Sequence, residues 1–353
     1  MAIGGLGRAL EALGHEVAVH APVRRTGRIL SRLRFNLGLR HFRGHDFDLV
    51  VGFDLDGCWL TALRGPTRVT SLKGVVADEM RFERGPTRLG FHLLSRLEGR
   101  NARAADVVLV TSLYSREAAI AAYGLDPGRV KVVPEGIELG LWPDPTPGGE
   151  GSLRNGEEPA RGAIDTRRPV VLTVARQYRR KDTGTLLRAM VGVVDAFPNA
   201  ELRIVGAGPE LGAHRRLARD LGLMDSVRFL GEMADRHAVR RQYAAADVFA
   251  LPSLQEGFGI VFLEAMASRL PVVAARAGAA PEVVPDGEAG LIVPPGDPRA
   301  LAGAVTRLLG DPELRARMGA AGRRRAETFD WARVAARFLE ATGLVRESAA
   351  PRP

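Results

Sequence analysis

Short apolar segments alternate with longer amphipathic segments along most of the chain. Apolar runs of about four to six residues, bounded by turn-forming residues, are typical of buried strands, and the segments between them have the composition of helices. This alternation predicts an α/β protein with parallel sheets. The predicted strands cover residues 16–21, 47–53, 68–72, 106–111 and 130–134 in the first half, and residues 169–174, 201–206, 227–230, 248–251, 272–274 and 289–293 in the second. The longest predicted helix covers residues 86–105.

A segment rich in proline and glycine, residues 141–168, separates the two series of strands. It has no apolar periodicity, which is typical of a linker. A chain of 353 residues also exceeds the usual size of a single hydrophobic core. We therefore predict an N-terminal domain at residues 1–140, a C-terminal domain at residues 169–330, and a final helix with its tail at residues 331–353.

Gly4 and Gly5 begin a predicted glycine-rich turn that stands almost at the start of the chain. A Rossmann-like domain opens on an apolar strand that leads into such a turn. Only Ala2 and Ile3 separate the turn from Met1. We therefore expect the first strand of this domain to be missing, and an in-frame upstream extension to encode it.

Composition narrows the class of protein. The hydrophobic fraction of 46% and the charged fraction of 26% are those of a soluble globular protein. No segment approaches the roughly 20 apolar residues of a membrane span. Cys58 is the only cysteine, so no internal disulfide can form. These features favour a cytoplasmic protein.

The net charge of +9 comes almost entirely from arginine, since Lys73, Lys131 and Lys181 are the only lysines. Arginines cluster at residues 323–325 and recur through residues 24–43. Such clusters attract anionic lipid headgroups, so we expect peripheral contact with the inner face of a membrane. No nucleic-acid-binding motif accompanies the charge, and we expect no nucleic-acid partner.

The segment P-S-L-Q-E-G-F-G at residues 252–259 joins a predicted strand to a predicted helix. A glycine-rich loop before a helix can bring backbone N–H groups close to a phosphate. Glu256 lies on the loop and Glu264 lies in the helix, and carboxylates accept hydrogen bonds from hydroxyls. A ligand with both phosphate and hydroxyl groups, such as a sugar nucleotide, would use both features.

These residues resemble the E-x7-E signature of glycosyltransferase family 4, a group of retaining enzymes with the GT-B fold. The resemblance implies two Rossmann-like domains that face a central cleft, with C-terminal helices that cross back to the first domain. It also implies that Glu256 faces the donor sugar, that Glu264 binds the ribose, and that the backbone of Gly257, Phe258 and Gly259 orients the sugar. Without the surrounding loop, both glutamates would be interpreted as solvated side chains.

Arg176 ends the first strand of the second domain, and Lys181 follows it. Fixed cations of this kind can neutralise a diphosphate. The spacing resembles the R-x4-K diphosphate clamp of the family, although the family commonly has glycine where this chain has Asp182. We interpret Arg179 and Arg180 as solvated.

Gly206 begins a G-A-G-P turn after the next strand. In the family this turn lies near the nucleotide, and a tight turn without ligand contact is the alternative. Gly4 and Gly5 match the family's glycine turn, which approaches the donor phosphate and the acceptor. Lys73 stands where many members have a histidine near the reacting sugar. It could hold a phosphate or acceptor oxygen, or it could be a surface lysine at a strand end.

Asp54 and Asp56 follow a predicted strand and are interpreted first as turn residues and second as acceptor contacts. The charged residues at 78–84 have helical spacing, which favours a salt-bridged helix face and leaves an acceptor site as the second interpretation. The histidines show no metal-binding spacing, so we predict no metal site.

Together these features predict a retaining glycosyltransferase that moves a sugar from a nucleoside-diphosphate sugar to a hydroxyl of a glycan, lipid or small molecule. Neither a metal nor a cofactor is expected. Two alternatives stay open. The first is another GT-B enzyme, such as a sugar-nucleotide epimerase or a phosphorylase, and the second is an inactive protein that binds sugar nucleotides or membranes.

Overall fold

The computed structural model describes residues 2–21, 29–39, 42, 44, 46–60, 65–142 and 168–344. These residues form two compact units. The first unit contains Met1–Gly136 and Trp331–Pro353, and the second contains Ile137–Asp330. The predicted domain boundary at residue 140 therefore lies inside the second unit. Residues 143–167, most of the predicted linker, lie outside the described residues.

The first unit contains a four-stranded parallel sheet. Its strands are β1 (Leu49–Phe53), β2 (Thr67–Leu72), β3 (Val107–Val110) and β4 (Val130–Val132), and they lie in that order. Its helices include α1 (Ala2–Ala12), α2 (Ile29–Leu39), α3 (Val76–Glu79), α4 (Gly85–Ala104) and α5 (Leu113–Tyr123). Successive residues of β3 belong to different cores: Val108 and Val110 pack with α4 and α5, whereas Leu109 packs on the opposite face with Leu6 of α1. Burial on both faces explains why this strand is a continuous apolar run.

The second unit contains a six-stranded parallel sheet in the order β10-β9-β8-β5-β6-β7. Its strands are β5 (Val170–Val174), β6 (Glu201–Val205), β7 (Val227–Gly231), β8 (Val248–Leu251), β9 (Val272–Ala275) and β10 (Gly290–Val293). Its helices are α6 (Thr183–Ala196), α7 (Leu211–Asp220), α8 (Arg236–Ala244), α9 (Ile260–Ala267), α10 (Ala280–Val283), α11 (Pro298–Gly310) and α12 (Pro312–Glu327). Hydrophobic cores cover both faces of this sheet. The order reverses at β5, which lies between β8 and β6.

One predicted strand is wrong. Residues 16–21 are irregular, and no strand in the described part of the chain pairs with them. The segment contains the short apolar run Val-Ala-Val at residues 17–19, yet Val19 is 60% exposed. An apolar run indicates which side chains could be buried, but a strand also needs a neighbour to satisfy its backbone groups.

The helix α13 (Trp331–Thr342) belongs to the first unit, whereas α11 and α12 belong to the second. The chain therefore returns to the first unit through its last described helix. Val334, Ala335 and Phe338 of α13 are buried in the core that also contains Leu6 of α1. This pattern agrees with the predicted return of the C-terminus to the first domain.

The predicted glycine turn at the start of the chain is instead part of a helix, because Gly4 and Gly5 lie inside α1. Packing explains Gly5. A Cβ atom at this position would lie 2.3 Å from Cε2 of Trp331, and one at Gly136 would lie 2.4 Å from Cδ2 of the same ring. The indole therefore lies against two glycine backbones, which gives Gly5 a structural role within the first unit.

Candidate active site

The carboxyl ends of three adjacent strands bring the predicted site residues of the second unit to one edge of its sheet. Arg176 follows β5, Gly206 follows β6, and Glu256 lies on the loop after β8. Because β5 lies between β8 and β6, the loops after these strands are neighbours. In open α/β sheets, ligands bind beyond the carboxyl ends of the strands, where the strand order reverses. This edge is therefore the candidate active site.

The centre of the site is an ion pair between Lys181 and Glu256. Lys181 Nζ lies 2.5 Å from Glu256 Oε1, and the Ser253 hydroxyl donates to the same oxygen over 2.9 Å. The exposed fractions of the two charged side chains are only 14% and 7%. Motif spacing had paired Lys181 with Arg176, and Ser253 had no predicted role. Ser253 could have been predicted from its position on the same loop, three residues before Glu256.

The glycine-rich loop is held by its own backbone and by one buried ring. The Ala279 N–H donates to the Glu256 carbonyl over 2.9 Å. A Cβ atom at Gly278 would lie 2.6 Å from Glu256 backbone atoms, so glycine is required for this approach. The Phe258 ring is buried edge-to-face against Phe329. Since the Phe258 side chain anchors the loop in the core, the backbone is the part of this residue that can contact a ligand.

Glu264 lies one turn into α9 and contacts a residue that the sequence analysis missed. The Tyr243 hydroxyl donates to Glu264 Oε2 over 2.8 Å. Burial raises the pKa of the Glu264 carboxyl above its ordinary value, and the Tyr243 hydrogen bond opposes this shift. Tyr243 is fully buried between the rings of Trp142 and Phe249. A rigid aromatic side chain therefore fixes the position of this carboxylate.

The structure does not join Arg176 to the ion pair. Arg176 is exposed, and its guanidinium lies 5.5 Å from the centre of the Tyr178 ring. The interpretation of Arg180 as solvated is wrong, since this residue is 8% exposed and also stacks on Tyr178. Its carbonyl accepts a hydrogen bond from Leu254 N–H over 2.8 Å. Arg180 therefore ties the loop after β5 to the loop after β8.

A buried glutamine supports the segment between Arg176 and Lys181. Gln177 donates from Nε2 to the Ala175 carbonyl over 2.8 Å, and its Oε1 accepts from the Thr183 hydroxyl over 3.0 Å. His214 Nδ1 lies 3.0 Å from the same oxygen, and burial lowers the pKa of this histidine. Gln177 was not predicted, because its partners come from three different segments. It holds the backbone that carries both cations.

The conformation of the backbone explains why aspartate can replace the family's glycine at position 182. Asp182 has φ +50°, in the left-handed region that glycine favours and that Asp tolerates better than most residues. Its carboxylate also caps α6 by accepting from the Thr185 N–H over 3.4 Å. Aspartate therefore meets the same conformational demand as glycine and adds a helix cap.

We expect Asp182→Ala to lower the free energy of unfolding by about 2 kcal/mol, from the lost cap and the left-handed backbone together. Asp182→Gly keeps the backbone free to adopt this conformation, so its expected loss is below about 1 kcal/mol. Urea unfolding of both variants measures the difference. Equal losses in the two variants would show that the left-handed conformation is not what selects the residue.

In the first unit, Lys73 is part of an ion pair rather than a free surface lysine. Its Nζ lies 2.8 Å from Glu135 Oε1 and 5.4 Å from the centre of the Phe53 ring. Its backbone N–H donates to Asp54 Oδ1 over 2.9 Å. Glu135 was not predicted, because it follows β4 and meets Lys73 only through the parallel sheet. Lys73, Asp54 and Glu135 thus lie together at the carboxyl edge of that sheet.

Asp54 and Asp56 are held by Arg32, which donates to Asp56 Oδ1 over 3.0 Å and to Asp54 Oδ2 over 3.3 Å. Burial raises the pKa of Asp54, and the Lys73 N–H and Arg32 oppose the shift. The backbone of Asp54 has φ +56°. These contacts favour the interpretation of both aspartates as structural residues of the turn after β1.

Of the three arginines at residues 323–325, only Arg324 is exposed, and the other two donate to backbone carbonyls. Arg323 donates to the Trp142 carbonyl over 3.2 Å, and Arg325 donates to the Glu282 carbonyl over 2.7 Å. Both guanidinium groups thus stabilise the second unit. Much of the predicted basic stretch at residues 24–43 lies outside the described residues, and Arg32 within it is paired with Asp54 and Asp56.

Within the described ranges, no group of three or more His, Cys, Asp or Glu residues is arranged to hold a metal ion. None of the helices in those ranges is both long and apolar enough to span a bilayer.

Comparisons with known protein families match both halves of the chain. The model of the family described as Glycosyltransferase Family 4 matches residues 3–141, and that of Glycosyl transferases group 1 matches residues 155–325. The two matched ranges correspond to the two series of strands.

Two curated proteins are similar to this chain in sequence. The D-inositol 3-phosphate glycosyltransferase of Corynebacterium glutamicum is 35% identical over 240 residues, which are 66% of this chain and 56% of that protein. The GDP-mannose-dependent alpha-(1-6)-phosphatidylinositol monomannoside mannosyltransferase of Mycolicibacterium smegmatis is 37% identical over 253 residues, which are 69% of this chain and 64% of that protein. The matched part of the chain thus spans less than two thirds of the length of either relative.

Solved structures resemble the chain over almost its whole length. Sucrose-phosphate synthase from Thermosynechococcus elongatus has a TM-score of 0.74 at 25% identity, covering 98% of this chain and 93% of its own. HepE from Anabaena, solved in complex with UDP and glucose, has a TM-score of 0.70 at 23% identity, covering 96% and 89%.

Proposed function

We propose that this chain, which belongs to glycosyltransferase family 4, is a retaining glycosyltransferase that moves a sugar from a nucleoside-diphosphate sugar to an acceptor hydroxyl. The observation that carries the proposal is the Lys181–Glu256 ion pair at the carboxyl edge of the second sheet. It combines a cation suited to a diphosphate with a carboxylate suited to sugar hydroxyls. The two curated relatives are named as a glycosyltransferase and a GDP-mannose-dependent mannosyltransferase.

The predicted fold class is confirmed. Both units are α/β structures built on parallel sheets, and the structural relatives are GT-B glycosyltransferases. Ligand sites of such sheets lie at the carboxyl ends of the strands. The fold therefore supports a nucleotide-sugar site where Lys181 and Glu256 meet.

Lys181 and Arg176 neutralise the negative charge of the leaving diphosphate. As the bond between sugar and diphosphate breaks, negative charge develops on the phosphate oxygens, and fixed cations stabilise this charge more strongly in the transition state than in the substrate. Lys181 is already held by Glu256, whose Oε1 also accepts a hydrogen bond from the Ser253 hydroxyl. Arg176 is exposed and adds its guanidinium when the donor binds. Since two cations serve the diphosphate, we expect transfer without an added metal ion or cofactor.

The two glutamates bind the hydroxyls of the donor. The hydrogen bonds to the Glu256 side chain are made to Oε1, so Oε2 is the oxygen that accepts from a sugar hydroxyl. Glu264 accepts from the ribose hydroxyls while Tyr243 holds its Oε2. The backbone N–H groups of Gly257, Phe258 and Gly259 add to the sugar contacts. Gly206 allows the turn after β6 to approach the nucleotide.

Acceptor binding falls to the first unit, where Lys73 and Glu135 lie at the carboxyl edge of the sheet. Lys73 can donate hydrogen bonds to the hydroxyls of the acceptor substrate, and Glu135 can accept hydrogen bonds from them, whether that substrate is a glycan, a lipid or a small molecule. Gly4 and Gly5, which were predicted to approach the donor phosphate, lie in α1, and Gly5 also packs against Trp331. The enzyme would act in the cytoplasm, in peripheral contact with an anionic membrane.

We expect Tyr243→Phe to make donor binding more sensitive to acid. The Tyr243 hydroxyl stabilises the charged form of Glu264, whose pKa burial already raises. Without it the pKa rises further, so the carboxylate that accepts from the ribose is lost at a higher pH as the pH falls. Donor affinity measured from about pH 8 to about pH 5 should therefore fall earlier in the variant than in the wild type. Parallel pH profiles would contradict the assignment of Glu264 to the ribose.

The experiment that tests the proposed function offers radiolabelled nucleotide sugars to the purified full chain, first alone and then with a panel of hydroxyl acceptors. The expected result is transfer with one donor, retention of the anomeric configuration in the product, and loss of transfer in Glu256→Ala. A product formed from the donor alone by epimerisation would support a sugar-nucleotide epimerase instead. Phosphate-dependent cleavage of a glycan would support a phosphorylase. Donor binding with no turnover under any condition would support an inactive sugar-nucleotide-binding protein.

A further inference from the structure

The helix α4 presents apolar side chains to solvent on a basic face. Leu89 is 75% exposed and Leu93 is 48% exposed. Arg88, His92 and Arg96 are exposed beside them, and Arg100 continues the same face one turn further along the helix. We refer to these six residues as the α4 outer face. At about 100° per residue, they occupy roughly 140° of the helix surface.

The opposite side of α4 is its packing side. Glu98, Asn101 and Ala102 are buried there, and Ala102 belongs to the core under the first sheet. Glu98 is the only acidic residue of the helix and is 1% exposed. Burial raises its pKa to about 8, with the charge of Asp54 acting in the same direction. The outer face therefore carries positive charge with no acidic residue of its own helix beside it.

Ion pairs do not neutralise this charge. Across the described parts of the chain, no carboxylate lies within ion-pairing distance of Arg88, Arg96 or Arg100. The helix α7 is also basic, but it differs from α4 in the burial of its leucine at position 217. Arg216 and Arg219 are exposed there, but Leu217 packs against the core. The two exposed leucines thus distinguish α4 from α7.

We propose that the α4 outer face is a membrane-docking surface that lies in the headgroup region of an anionic bilayer. A helix with exposed leucines and arginines on one face binds in the plane of such an interface. The leucines enter the acyl boundary and the arginines pair with lipid phosphates. With 20 residues, α4 is about 30 Å long, which lets the whole face lie along the surface. The partner is a lipid surface rather than a nucleic acid, because a phosphate backbone offers the leucines no apolar layer.

The α4 outer face thus takes the place of the arginine clusters at residues 24–43 and 323–325 as the membrane contact. This docking surface rests on the peripheral membrane contact of the proposed function. Vesicle binding is measured without donor or acceptor, so failure of the docking surface and failure of sugar transfer are separate results.

The test is co-sedimentation of the full chain with vesicles of phosphatidylcholine alone, or with about 30% phosphatidylglycerol. We expect binding to the anionic vesicles that high salt weakens, and little binding to the neutral ones. Arg96→Gln/Arg100→Gln should weaken partitioning by about 25-fold, since each arginine contributes roughly five-fold. Leu89→Ser/Leu93→Ser should weaken partitioning by at least as much. This loss should be the same at low and at high salt, because the lost contribution is apolar.

Matched controls separate this surface from general basicity. Arg216→Gln/Arg219→Gln makes the same change of charge on α7, and Met224→Ser removes an apolar side chain that is 52% exposed in the second unit. Both controls should bind vesicles like the wild type. Equal loss in the α7 control and the α4 variants would overturn the proposal, as would wild-type binding by the leucine variant. Binding to a DNA duplex without binding to anionic vesicles would overturn it in favour of a nucleic-acid surface.

Discussion

Lys181→Ala should lower kcat for sugar transfer by about 10²- to 10³-fold, the usual effect of removing one fixed group that stabilises developing charge. The variant loses the cation that faces the leaving diphosphate. It also leaves the Glu256 carboxylate, 6% exposed as a residue, without its partner and able to repel the donor phosphates. Steady-state kinetics with the preferred donor measures the loss.

Two control variants make this result specific. Lys131→Ala removes an exposed lysine from β4 and should leave kcat unchanged. Lys181→Ala/Glu256→Gln also removes the carboxylate charge that Lys181→Ala leaves buried and unpaired. The double variant should therefore be more stable than Lys181→Ala but no more active. A kcat for Lys181→Ala within about three-fold of the wild type would remove this lysine from the chemistry.

Gly206→Ala should lower the free energy of unfolding by about 3 kcal/mol or more. Gly206 has φ +124°, which side-chain-bearing residues rarely adopt, and a Cβ atom there would lie 2.0 Å from the Ala175 carbonyl oxygen. This oxygen belongs to the backbone, so it cannot rotate away as the end of a flexible side chain can. Ala175 precedes Arg176 and accepts from Gln177, so any relaxation also moves the strand end that carries Arg176.

Urea unfolding compares this variant with Gly212→Ala, the same substitution inside α7. The nearest atom to a Cβ at Gly212 is the flexible end of Arg216, 3.7 Å away. This control should be neutral or stabilising by up to about 1 kcal/mol, because alanine favours the helix. If Gly206→Ala unfolds at the same urea concentration as the wild type, the close backbone approach at this turn is not a constraint.

Much of the fold could be predicted because its strands are apolar runs bounded by turn residues. All six strands of the second unit lie within about one residue of their predicted positions. Strands such as β8 and β9 are continuous apolar runs because they are buried on both faces of the sheet. The segment at residues 16–21 has a similar local pattern but forms no strand. Strand formation there depends on a neighbour that the local pattern cannot reveal.

The sequence predicts which residues belong to the candidate site but only some of the contacts between them. Motif spacing pointed to Lys181 and Glu256, yet the ion pair between them joins loops 75 positions apart in the sequence. Spacing within one segment could not show that Tyr243 meets Glu264, or that Glu135 meets Lys73. These pairs arise from neighbouring strands and helices of the folded sheet. Each missed residue orients a predicted one, so the sequence pointed to groups suited to a ligand and the fold revealed what holds them.

The carboxyl edge of the second sheet should bind a nucleoside diphosphate through Lys181 and Glu264. Isothermal titration calorimetry with UDP and with GDP measures this binding for the wild type, Lys181→Ala, Glu264→Gln and the Lys131→Ala control. We expect the wild type and Lys131→Ala to bind one nucleotide. We expect at least about ten-fold weaker binding by each of the other two variants, because each loses a charge-assisted interaction. Equal affinity in all four proteins, or no binding of either nucleotide by the wild type, would contradict this expectation.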